Sequence, residues 1–215
     1  MNEKIDRETL LLKADEYYLQ NDFVNAITYY INVVNQLAED EKINFHYIFC
    51  NLGSSYLQQA FILIDKDKEK SIQNAVYANK AFEFAAHYQP QNPDYPYYVA
   101  LAKNMLVSES LNNPDDFKQL NATIYYYKKA KKLGCTLDDL DKRLEFAQEQ
   151  SAIILALINK NYENETGITD NKSLQSKQKV TFSSNTLFNE NKNSAKNLKQ
   201  KSDIKDPESN KKSSI

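Results

Sequence analysis

Small and aromatic residues recur along most of this chain at helical spacing, and no other feature restricts its fold as strongly. Near the start they fall at Ala14, Tyr17, Ala26, Tyr30 and Val33, with gaps of 3, 9, 4 and 3 residues. Further on come Phe49, Leu52, Gly53 and Tyr56, then Ala78, Phe82, Ala85 and Pro90. A third pair of clusters holds Tyr98, Leu101, Ala102 and Met105, followed by Thr123, Tyr127 and Ala130. A small residue lets a neighbouring helix come close, and an aromatic one turn away fills the space that the approach leaves. One such helix pair cannot bury its apolar stripe alone, so pairs must stack.

Composition and punctuation agree with helices. Three Gly and five Pro in 215 residues, against about 7% Gly in an average chain, leave too few turn formers for a β fold. Breaks fall at "AEDEK" (38–42), "DKDKEK" (65–70), "QPQNPDYP" (89–96), "NNPDD" (112–116) and "KLGCT" (132–136), and they divide the chain into about seven helices. Asn113–Pro114 reads as an N-cap followed by proline in the first turn. Gly134, then Thr136 and Asp139, reads as a helix end followed by a capping box.

The clusters resemble the tetratricopeptide repeat (TPR) family, whose pattern runs W-x2-L-G-x2-Y, then A-x3-F, then P. "FCNLGSSY" (49–56) is the nearest match, with Phe49 in the Trp position, and "ADEYYLQNDFVNAITYYINVV" (14–34) keeps the internal gaps without insertion. The second and third repeats carry insertions, since Tyr56 to Ala78 spans 22 residues and Met105 to Thr123 spans 18, and extra helical turns such as "QQAFILI" (58–64) account for part of them. The resemblance implies an all-α stack of about three antiparallel hairpins over residues 1–160, closed by a capping helix at about 137–159 with a stripe of Leu137, Leu140, Leu144 and Ala147.

It also implies where another protein would bind, namely a concave groove on the first helix of each repeat. The groove residues are Leu11, Asp15, Tyr18 and Leu19; Tyr47, Cys50, Asn51, Ser54 and Leu57; and Val99, Lys103 and Leu106. Such a groove is mostly apolar with isolated polar spots, which suits an amphipathic helix or an extended apolar peptide. One TPR subclass grips chaperone C-terminal carboxylates with Lys, Asn and Arg. Here Leu11, Asp15, Pro96 and Ala100 replace that set and only Asn51 matches, so Asp15 would repel a carboxylate.

Other function classes find little support. Residues 1–160 hold 17 Lys and Arg against 22 Asp and Glu, a balance of −5, where a nucleic-acid-binding domain needs a basic face. His46 and His87 lie in different repeats with no ligand-spaced Cys, Asp or Glu beside them, and no nucleophile motif or phosphate loop occurs. No catalysis, cofactor or metal is expected. Cys50 and Cys135 read as reduced thiols, and the chain shows no signal peptide or membrane-spanning apolar run, so a cytoplasmic protein without membrane insertion is expected.

Residues 161–215 are rich in Asn, Lys, Ser and Gln and read as a disordered tail with a balance of +3 from 10 basic and 7 acidic residues. Within it Lys179, Val180, Thr181 and Phe182 resemble the docking motif of protein phosphatase 1 regulatory subunits, with "TLF" (186–188) as a second apolar contact, and "SSI" (213–215) fits a PDZ-type ligand. Three functions therefore stand open: a protein-binding adaptor, a phosphatase regulatory subunit acting through its tail, and a structural subunit of a large ciliary or organellar assembly.

Overall fold

A computed structural model of the chain describes residues 6–107 and 114–166. Among these residues there are seven α-helices and no strand: α1 Arg7–Leu19, α2 Phe23–Val34, α3 His46–Leu63, α4 Lys68–Tyr88, α5 Asp94–Asn104, α6 Pro114–Lys132 and α7 Leu140–Thr166. Each packs on the helix before it and the helix after it in the chain. The pairs α1/α2, α3/α4 and α5/α6 are thus three stacked antiparallel hairpins, and α7 closes the row against α6. This is the all-α hairpin stack expected from the small and aromatic spacing.

Local chemistry sets the ends. Asp6, Asp22 and Asp67 each stand just before a helix and accept a backbone N–H from Thr9, Asn25 and Lys70 at 2.9, 3.2 and 3.1 Å, which pairs donors that a helix start leaves open. Helix α1 stops at a left-handed Asn21, φ 61°, with Asn21 N–H bonded to Tyr18 O and Asp22 N–H to Tyr17 O at 3.1 and 2.9 Å. Helix α6 ends the same way at Gly134, φ 86°, where Cys135 N–H reaches Ala130 O and Gly134 N–H reaches Lys131 O, both at 3.0 Å. Both are Schellman closures, and the left-handed position falls on Asn or Gly because other side chains clash there.

Much of the repeating code is core, though Tyr56 and Met105 are only half-buried and Pro90 is exposed. Ala14, Ala26, Tyr30 and Val33 in the first hairpin are buried, as are Ala78, Phe82 and Ala85 in the second and Thr123, Tyr127 and Ala130 in the third. Tyr17 is only half-buried and stacks on Tyr29, ring centroids 5.3 Å apart. The 22-residue gap before Ala78 is absorbed by longer helices, 18 residues in α3 and 21 in α4 against 13 and 12 in α1 and α2.

Several expectations are corrected. Helix α7 begins at Leu140, not at 137, so Thr136 does not cap it. Asp139, assigned to a capping box with Thr136, instead accepts from Tyr97 Oη at 2.5 Å and pairs with Arg143. The buried stripe of α7 accordingly contains Leu140, Arg143, Ala147, Gln150 and Ile154, while Leu137 and Leu144 are half-buried. Helix α7 also runs on to Thr166, past the boundary expected at 160. Cys135, in a segment that reads as helical from the sequence, lies in the loop after Gly134 and not in a helix.

Candidate partner-binding face

The odd-numbered helices line one side of the stack, and side chains bridge them in order. Between α1 and α3, the Tyr18 hydroxyl faces Ser54, and Tyr30 of α2, which donates to Asp15 of α1, faces Asn51 of α3. Between α3 and α5, His46 Nδ1 and Tyr95 Oη lie 2.5 Å apart in one hydrogen bond. Between α5 and α7, the Tyr97–Asp139–Arg143 set closes the row.

Of the expected groove residues, the structure brings one group together and consumes the rest. Asp15, Tyr18, Asn51 and Ser54 meet at the α1/α3 junction, with Tyr47 beside them under the influence of the Asp15 charge. Leu11 is half-buried, Leu19 is 54% exposed and Tyr47 37% exposed, so the junction is open to a partner. By contrast Cys50, Leu57, Val99 and Ser54 are buried in the packing. Lys103 is held by Glu83 at 3.1 Å and lies over the Tyr126 ring, and Leu106 is half-buried just beyond α5.

The face is less apolar than the spacing alone suggests. Tyr30 Oη donates to Asp15 Oδ1 at 2.5 Å, which fixes the carboxylate from behind. Burial pushes the Tyr18 hydroxyl up to about 12, with the nearby Cys50 thiol adding to it and the Ser54 bond opposing it. Burial also raises Tyr30, helped by the Asp15 charge, and raises Tyr47, which Asp15 pushes further up and Arg7 pulls back. The Cys50 thiol is raised well above its usual range by burial and then by Asp94. At neutral pH these hydroxyls and the thiol stay protonated, and they act as neutral hydrogen-bonding groups around a carboxylate.

Tyr30, His46, Asp94, Tyr95 and Tyr98 also belong to this network, and repeat spacing did not single them out for it. Tyr30 and Tyr98 read as packing residues, and they are buried; Tyr30 connects to the face through its hydroxyl bond to Asp15. The charge on Asp94 acts on Cys50, a neighbour from another helix that sequence order does not supply.

Among the described residues no group of three or more His, Cys, Asp and Glu is placed to hold a metal ion, and no helix is long and apolar enough to cross a membrane. The tail motif Lys179, Val180, Thr181 and Phe182 lies outside the described residues. The chain matches no protein-family model and no curated protein.

Proposed function

We propose that the chain is a non-enzymatic adaptor of the TPR type that holds a peptide or helix of another protein against its odd-helix face. The observation that carries this reading is the α1/α3 junction, where Asp15, Tyr18, Asn51 and Tyr47 form a hydrogen-bonding surface whose carboxylate is already oriented by Tyr30. Groups fixed before binding lose little freedom when a partner arrives, so their contacts appear as affinity. Burial keeps the nearby tyrosines and Cys50 protonated, which suits recognition better than nucleophilic chemistry. A reducing cytoplasmic setting fits the two free thiols.

The experiment is quantitative affinity purification from the native cell, comparing the wild type with Tyr18→Ala/Tyr47→Ala and with the outer-face control Tyr125→Ala. The double change is expected to lose specific partners that the control keeps. Identical partner sets in all three would overturn the reading.

A second reading, a structural subunit of a larger assembly, is favoured by the long α3/α4 hairpin. It exposes Ile62, Ile72 and Tyr77 by 43%, 46% and 40%. Burial of those residues in a purified native assembly, with the odd-helix face left open, would favour it over the adaptor.

A further inference from the structure

Helix α7 has two faces, and α6 covers only one of them. Its Arg143, Ala147, Gln150 and Ile154 are buried, and contacts of Lys131 with Asp141 at 2.8 Å and of Ser151 with Asn121 at 3.4 Å seat the two helices antiparallel. On the opposite side Glu149, Ala152, Ala156 and Lys160 recur at helical spacing and are all exposed, with Leu155 beside them at 45% exposure. The outer face of a capping helix is ordinarily polar, which keeps the end of a stack in water. Here the stretch from Ala152 to Leu157 is apolar throughout.

The same face is complementary to a copy of itself. In an antiparallel pair of helices related by a two-fold axis, each residue meets one whose position mirrors its own about the axis, and every contact occurs twice. An axis passing close to residues 154 and 155 sets Ala152 against Ala156 of the second copy, Leu155 against its own equivalent, and Glu149 against Lys160 of the second copy. The alanines permit close approach of the two helices, the leucines bury apolar surface on one flank, and opposite charges meet at both ends. Within one chain Glu149 and Lys160 stand 11 residues apart, about 16 Å along the helix, so they cannot pair with each other. One register therefore satisfies shape, apolar burial and charge together.

We propose that this outer face of α7 is where two copies of the chain join, α7 against α7 in antiparallel. The α1/α3 junction, at the other end of the row of helices, stays uncovered in each copy. A few turns of helix bury less than a standard interface, so a dissociation constant on the order of 10 μM is expected.

The test is sedimentation equilibrium of the full chain at concentrations from well below to well above that value, where wild type is expected to pass from monomer to dimer. Glu149→Lys and Lys160→Glu each turn two attractive contacts into repulsive ones and should weaken the dimer about tenfold. The double exchange Glu149→Lys/Lys160→Glu should restore it, which a merely local effect on α7 would not do. Ala152→Gln/Ala156→Gln places neutral bulk at two exposed positions and should leave only monomer, with helix content unchanged. If a single exchange melts lower than wild type, recovery in the double exchange still decides. A monomer at every concentration overturns the inference and leaves this face to a helix of another protein. A dimer indifferent to these substitutions, or one that the double exchange does not restore, overturns it as well.

Discussion

The Phe82 ring occupies the space where a side chain on residue 53 would stand. A Cβ built on Gly53 would lie 2.7 Å from Phe82 Cε1 and 2.8 Å from Cδ1, and Phe82 cannot retreat, because it is fully buried and stacked on Tyr98 at 5.4 Å. Gly53 on α3 therefore leaves room for the Phe82 ring of α4, and Tyr98 of α5 stacks on that ring.

Gly53→Ala should therefore lose more to overlap than it gains in helix propensity. Overpacking costs about 1–3 kcal/mol and the propensity gain returns about 0.5–1, so a net loss of about 1–2 kcal/mol is expected in denaturant titration. Adding Phe82→Leu should recover part of the loss. A Gly53→Ala protein as stable as wild type would contradict the close approach.

The hairpin code was legible because it is a packing rule. Gly53 facing Phe82, and Ala26 lying against Tyr30 and Ala14, follow from the small-then-aromatic order, and the helix ends at Gly134 and Pro114 follow from backbone chemistry. The proposed binding face was legible only in part. Spacing selects a side of a helix but cannot say which residues on that side the next helix will cover, so Cys50, Leu57 and Val99 were singled out with Tyr18 and Tyr47 although stacking buries them. It also gives no cue that Arg143 is buried: Asp139 stands four residues before it, but Tyr97, which donates to Asp139, comes from α5.

That arginine fastens the last helix. Arg143 is 6% exposed and pairs with Asp139, and although burial disfavours its charge, Tyr97, Tyr127 and Asp139 more than offset this. Arg143→Ala leaves Asp139 partly buried without its cation, and about 3–5 kcal/mol is expected to be lost. Hydrogen exchange should show α7 opening before α3. Uniform loss of protection across all helices would show that the capping helix is not a separate weak point.

Tyr30→Phe removes the hydroxyl that holds Asp15 while keeping the ring. A hydrogen bond to a carboxylate contributes about 1.5–3 kcal/mol, so stability should fall by about that amount with the helix content unchanged. Binding through the odd-helix face should weaken as well, since the carboxylate is then free to turn. Unaltered stability and binding would show that the bond orients nothing.

His46 ties stability to pH. Burial lowers its pKa from the usual 6.5, so the unfolded chain takes up a proton more readily than the native protein. Its contribution is thus fully present above about pH 6.5 and is lost as pH falls through the lower native value. The Tm of wild type should drop between pH 7 and 5 by more than that of His46→Gln, which cannot titrate there. Equal drops in both would assign the acid sensitivity to other groups.

The central claim is that partners meet the odd-numbered helices, and site-specific photo-cross-linking in the native cell tests it most directly. A benzoylphenylalanine replaces, in turn, Tyr18 and Tyr47 on the odd-helix side and Tyr77 and Tyr125, which are 40% and 60% exposed, on α4 and α6. The account predicts a discrete cross-linked protein from positions 18 and 47 that is absent from 77 and 125. Cross-links from 77 or 125 alone would contradict it.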